Sequence, residues 1–158
     1  MIIDCHGHYT TAPKQLDEYR KLQVAACTCG TEGGARRSIL PPVISDDQLR
    51  ESLEGAQLRI QRERGTNLTI FSPKAIGMGH HLGDAEASST WATVCNDLIH
   101  RICQLYPSNF AGVCQLPQSP GVAPANCVAE LERCVKELGF IGCNLNPDPT
   151  GGYWKDPP

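Results

Sequence analysis

The sequence predicts an α/β fold with a parallel sheet, read as the N-terminal half of a (β/α)8 TIM barrel, with residues 1–158 forming one truncated domain. Three observations carry this. Strand-like and helix-like segments alternate through four units, with short helix-to-strand joins and longer strand-to-helix joins. The first such strand-to-helix join carries His6-Gly7-His8 in place of a GxGxxG or P-loop, which favours metal over phosphate chemistry. The chain has 158 residues, whereas a full barrel typically needs about 250. A doubly wound sheet begins with the same alternation, and periodicity alone does not separate the two.

Strand 1 is IIDCHGHY, a β-type run that ends in the His-Gly-His turn. From Thr10 to Pro42 no period is sustained. DEYRKLQVAA can form a helix there, and Gly30, Gly33, Gly34 and Pro41-Pro42 break the rest. Such long excursions serve a site or are disordered. Ile44 to Gly65 reads as one helix, with Ser45 and Gln48 as a capping box, Asp46 and Asp47 complementing the dipole, Gly65 closing it, and Leu49, Leu53, Ala56 and Ile60 as its apolar stripe.

NLTIFSP is strand 2, followed by the loop AIGMGHHLGDAEAS. A helix then runs from about Ser89 to Tyr106, burying Trp91, Val94, Cys95, Leu98, Ile102 and Leu105 before Pro107 stops it. FAGVCQLP is strand 3. The third helix starts near Pro124 and is expected to bury Val128, Leu131, Cys134, Val135 and Leu138. FIGCNLNP is strand 4, and TGGYWKDPP has no pattern of regular structure.

Composition excludes several classes. With 41% hydrophobic and 20% charged residues the chain is globular. A net charge of -3 with no Lys/Arg cluster gives no footprint for nucleic acid. No run approaches the roughly 20 apolar residues of a membrane span, and MIID lacks the charged and apolar regions of a leader, so no membrane association and a cytoplasmic location are expected. Nine cysteines are an odd number without a secretory context. Cys5, Cys95, Cys103, Cys114, Cys134 and Cys143 sit in apolar patterns and read as reduced core residues, while Cys27 and Cys29 form a CxC with no second pair at zinc spacing.

His6 and His8 lie two apart on a strand, so both side chains share a face and can reach one cation at the strand's C-terminal end. A catalytic zinc site takes three protein ligands, so at least one more must come from elsewhere. The alternative is two polar residues in a strand-end turn. Asp4 shares the face and can orient an imidazole or bond a neighbouring strand. Lys74, just past strand 2, is placed to pair with a substrate carboxylate, against the reading of a solvated loop lysine. Asn144 and Asn146 share a face at the end of strand 4 and suit a carboxylate or carbonyl, against simple turn chemistry. His80-His81 follow strand 2 on the face of barrel active sites, where they can contact substrate or a metal, and Arg36-Arg37 can reach an anionic substrate, against the reading of both as solvent-exposed pairs. No Gly-x-Ser-x-Gly elbow supports serine hydrolysis.

Taken together, MIIDCHGHYT, ERGTNLTIFSPKA, FAGVCQLPQSP and AELERCVKELGFIGCNLNPDP resemble the 4-oxalomesaconate hydratase family, in the decarboxylase-like branch of the amidohydrolase superfamily, over nearly the whole chain. His-x-His alone implies only the superfamily. Cys27 to Arg37 departs from the family pattern as a loop variant. The resemblance implies an amidohydrolase-type barrel and a zinc lyase of protocatechuate and gallate degradation, adding water to 4-oxalomesaconate to form 4-carboxy-4-hydroxy-2-oxoadipate. It implies Zn2+ on His6 and His8 and a small-molecule polycarboxylate substrate. A further His ligand and the acidic proton-transfer residue lie on later strands of the family and have no counterpart within 1–158, so the catalytic residues are expected in the missing C-terminal half. A metal-dependent hydrolase or decarboxylase on the same fold is the alternative within the enzyme class. Outside that class, the alternative is an inactive fragment whose open sheet edge is masked by self-association; a homo-oligomer is expected in either case.

Overall fold

The structure, a computed structural model, describes residues 1–28, 39–74 and 82–146. In chain order the elements are β1 (Ile3–His8), α1 (Lys14–Thr28), α2 (Asp46–Glu54), α3 (Gln57–Arg64), β2 (Leu68–Ser72), α4 (Ala85–Leu105), β3 (Phe110–Gly112), β4 (Cys114–Gln115), a 3-10 turn (Pro124–Cys127), α5 (Val128–Lys136) and β5 (Cys143–Asn144). β1, β2 and β3 form a parallel sheet in sequence order, and β4 pairs in parallel with β5.

β3 and β4 are two stretches of the third expected strand, interrupted at Val113. The Val113 amide donates to Phe71 O at 2.9 Å, while Ile141 N donates to Gly112 O at 2.9 Å and Cys114 N to Gly142 O at 3.0 Å. Hydrogen bonds therefore run without a gap across four parallel strands in the order of the sequence. That sequential order, with helices between the strands, is the topology of the first half of a (β/α)8 barrel.

Two glycines let neighbours approach where a side chain would not fit. A Cβ on Gly7 would overlap the Thr69 Cγ2 methyl of β2, so the middle residue of His-Gly-His is fixed by strand packing. At Gly112 a Cβ would meet the Phe140 ring at 2.7 Å. The core fills the space between sheet and helices with Leu49, Leu53, Phe71, Ile99, Ile102 and Phe110. Phe71 and Phe110 pack with ring centroids 4.5 Å apart.

A polar cluster ties α4, α5 and β4. The Asn96 side chain accepts from Gln115 N at 2.8 Å and donates to Gln115 O at 3.0 Å, so it stands in for a neighbouring strand beside the end of β2. Its amide also donates to Glu130 Oε1 at 2.7 Å. Arg133 donates to both oxygens of Glu130, at 2.8 and 2.9 Å, and reaches Asp97 at 2.8 Å. Burial pushes the Glu130 carboxyl up, but Arg133 and Asn96 outweigh it and hold the group below the usual carboxylate range.

Several expectations are corrected. The single helix from Ile44 to Gly65 is two. The capping box of Ser45 and Gln48 is present and Gly65 closes the second helix at φ 67, but the chain breaks at Gly55-Ala56, where Ala56 leaves helical space at φ -131, ψ -95. After that break the buried positions are Leu58 and Gln61, and Ile60 is 39% exposed instead of continuing the stripe. Gln61 turns inward because its amide donates to Thr69 Oγ1 at 2.6 Å and Asn109 O at 3.1 Å. α4 starts before Ser89, since Asp84 caps it by accepting from Ala87 N at 2.9 Å. On α5, Val128 and Val135 face outward and the polar Glu130 is buried, because the Asn96 contact rotates that face toward α4. Cys5 and Cys143 are exposed instead of lying in the core, while Cys95, Cys114 and Cys134 are buried.

Candidate metal centre

β1 brings His6 and His8 to its C-terminal end, and their Nε2 atoms approach to 2.9 Å with the rings at 88° to each other. Two ring nitrogens that close need a proton or a cation between them, since facing lone pairs repel. Nitrogens held by one zinc-sized cation sit about 2.0–2.1 Å from it and so no more than about 4 Å apart, and the pair falls inside that limit. The imidazoles therefore fit two positions of a divalent metal site. Among the described residues no third His, Cys, Asp or Glu joins them in a cluster able to hold a metal ion.

The other ring nitrogen of His8 is held from β2. Ser72 is the register partner of His8, and its Oγ lies 2.6 Å from His8 Nδ1 and 3.0 Å from Gly7 O. Pro73 O lies 3.2 Å from the same Nδ1. Asp4 uses its carboxylate on the backbone of its own strand, accepting from His6 N at 3.2 Å, and among the described residues neither imidazole nor neighbouring strand takes it.

Lys74 lies just past β2 and its Nζ reaches Asp17 Oδ1 of α1 at 3.5 Å. Its cation is thus partnered by a half-exposed carboxylate. Asn144 is the register partner of Gln115, and its Nδ2 is buried with no hydrogen-bond partner among the described residues. Asn146 exchanges two backbone hydrogen bonds of 2.8 Å with the Gln118 side chain, which steadies the end of the fourth strand. His80-His81, Arg36-Arg37 and Cys29 lie outside the described residues.

Two positions escaped the sequence reading. Ser72 reads as a strand-ending residue, and only the register with His8 gives it a partner. Gln115 sits in an apolar run, is 1% exposed, and has both side-chain amide atoms without partners. Cys114 faces Cys134 and Glu130 of α5, so alternation along the strand turns Gln115 to the opposite face of the sheet, away from the helices. The signal that could have found it was period 2 counted from the cysteine.

The family model for amidohydrolases matches residues 3–158. The chain belongs to the amidohydrolase family. Over its full 158 residues this amidohydrolase chain is 55% identical to 2-keto-4-carboxy-3-hexenedioate hydratase of Sphingobium sp. strain SYK-6, of which it covers 45%. The solved structure of 4-oxalomesaconate hydratase from Rhodopseudomonas palustris superposes with a TM-score of 0.83 at 50% identity, covering 100% of this chain and 45% of that one. A dihydroxybenzoic acid decarboxylase from Polaromonas sp. JS666, solved with bound manganese and an inhibitor, matches with a TM-score of 0.53 at 25% identity, over 90% of this chain and 37% of its own. The chain spans less than half the length of these relatives.

Proposed function

We propose that this chain carries the first half of the active site of a metal-dependent hydratase, a lyase that adds water to 4-oxalomesaconate to form 4-carboxy-4-hydroxy-2-oxoadipate. The convergence of His6 and His8 at the C-terminal end of β1 carries the metal part of this reading. The substrate part is supported by 55% identity to a hydratase along the entire chain. His6 and His8 would hold the cation through Nε2; zinc is the proposed ion, and the manganese of the Polaromonas decarboxylase supports a divalent metal more generally. A bound divalent ion supplies Lewis acidity, which polarises a carbonyl or lowers the pKa of water.

The chain's own residues bind and orient the substrate. Lys74 exchanges Asp17 for a substrate carboxylate, an exchange that costs little because an exposed ion pair is worth about 0–1 kcal/mol. Asn144 offers its unpartnered Nδ2 to a second carboxylate or carbonyl, and Asn146 extends the same strand end. In this reading the proton-transfer group and the ligands that complete the site belong to the part of the longer relatives that this chain does not span. The unit also presents exposed Ile3, Ile141 and Leu145 on its outer strands, an arrangement that association with a second copy would cover.

The deciding experiment assays the product of the complete reading frame against 4-oxalomesaconate with zinc or manganese supplied. Consumption of the double bond by water addition is expected. Carbon dioxide release from an aromatic acid in its place would move the assignment to the decarboxylase relatives. The 158-residue chain alone is expected to show no turnover. Its elution on size exclusion as a compact 17.2 kDa monomer would count against the masked-edge reading.

A further inference from the structure

We infer that Ser72 is the positioning residue of the His6-His8 centre: its hydroxyl locks His8 as the Nδ1–H tautomer and so keeps the Nε2 lone pair aimed at the cation position. The inference rests on the metal reading above and follows from counting donors. Ser72 has one hydroxyl proton, and both carbonyls in its reach, Gly7 O at 3.0 Å and Pro73 O at 3.4 Å, can only accept it. With that proton committed, the Oγ lone pairs face His8 Nδ1 at 2.6 Å, a distance that requires a proton on the ring nitrogen. Pro73 O at 3.2 Å is also an acceptor only, so it reinforces the same tautomer from a longer distance.

The opposite assignment fails the count. If Ser72 donated to Nδ1, Gly7 O would lose that donor and Pro73 O would face a ring lone pair. Ser72 itself is 2% exposed and held by its strand register, and turning its hydroxyl to Pro73 O at 3.4 Å would still leave the Oγ lone pairs to His8 Nδ1. Outer partners of this type orient a ligating imidazole, and their removal typically weakens metal affinity about 10–100-fold.

The test reads the tautomer without any metal. Long-range 1H–15N correlation spectra of the labelled 158-residue chain distinguish Nδ1–H from Nε2–H rings. Wild type is expected to show His8 as Nδ1–H, and Ser72→Ala to shift it toward a mixture with Nε2–H, while the same substitution in the product of the complete reading frame lowers Zn2+ affinity in a chelator competition about 10–100-fold. Ser72→Thr, which keeps the hydroxyl, restores both. Wild-type His8 found as Nε2–H overturns the inference. So does Ser72→Ala with tautomer and affinity unchanged, since Pro73 O would then suffice alone. A correct tautomer in the 158-residue chain together with no Zn2+ binding by the product of the complete reading frame supports the positioning role and counts against the metal reading, so the two failures are separable.

Discussion

Gly7→Ala tests whether the position between the two histidines is set by strand packing. A methyl built at Gly7 overlaps the Thr69 Cγ2 methyl and comes to 3.4 Å from Ile70 O and Phe71 Cδ2. Thr69 cannot swing aside cheaply. It is β-branched, 5% exposed, and its Oγ1 accepts from Gln61 Nε2 at 2.6 Å, so rotation strands a buried amide. Either the strands part, at about 1–3 kcal/mol for overpacking, or the hydrogen bond breaks, at about 1–3 kcal/mol for an unsatisfied buried group. The expected loss is therefore about 2 kcal/mol in urea unfolding followed by circular dichroism. Thr69→Ser removes only the obstructing methyl and keeps the hydroxyl, so the double variant is expected to recover most of the loss as a coupling energy of about 1–2 kcal/mol. A Gly7→Ala chain as stable as wild type, or a double variant with additive losses, would refute the packing argument.

Three further outcomes follow from the cluster around Glu130 and from the cysteines. Asn96→Ala leaves both backbone groups of Gln115 without partners and is expected to cost about 3 kcal/mol in the same unfolding assay. Glu130 is held below its unfolded value near 4.3, so its contribution is complete above that pH and is lost as pH falls through the folded value; Glu130→Gln should flatten the acid limb of a stability-against-pH curve below about pH 4.3 while lowering stability at neutral pH. Iodoacetamide followed by mass spectrometry should label exposed Cys5 well before Cys95, whose thiol is raised by burial, and equal rates would show that the α1–α4 layer opens.

The sequence made the strand–helix order, the capping box and the His-x-His pair legible because each depends on residues close together in the chain. Alternation and hydrophobic period report local structure directly. The break at Gly55-Ala56 was hidden because the apolar stripe continues in register through Ala56 and Ile60, and only the pull of Thr69 and Asn109 on Gln61 shows why the second helix turns. The outward Val128 and Val135 were misjudged for a related reason: Glu130 looks like a surface residue until Asn96 and Arg133, the first of them 34 positions away, are seen to satisfy it. Ser72 and Gln115 escaped because their importance comes from register with a residue 64 positions distant and from the face of a short strand.

The same distinction bears on how the His6-His8 pair is assembled. A strand end can aim two imidazoles at one point using nothing beyond its own alternation and one neighbouring hydroxyl, so that part of the centre is built by β1 and β2 together. Under the proposed metal reading, a cation there takes its remaining ligands from other strands, and closing a barrel is a long-range property that no local pattern supplies. The exposed apolar residues on the outer strands have the same origin, since a parallel strand is normally covered on both faces. Metal affinity and strand-edge protection should accordingly rise together when the remaining strands of the longer relatives are present. Hydrogen exchange of β1 measured with and without Zn2+, in the 158-residue chain and in the product of the complete reading frame, tests that coupling: strong metal-dependent protection in the longer protein and little in the chain alone is expected, and equal protection in both would show that β1 and β2 suffice to build the centre.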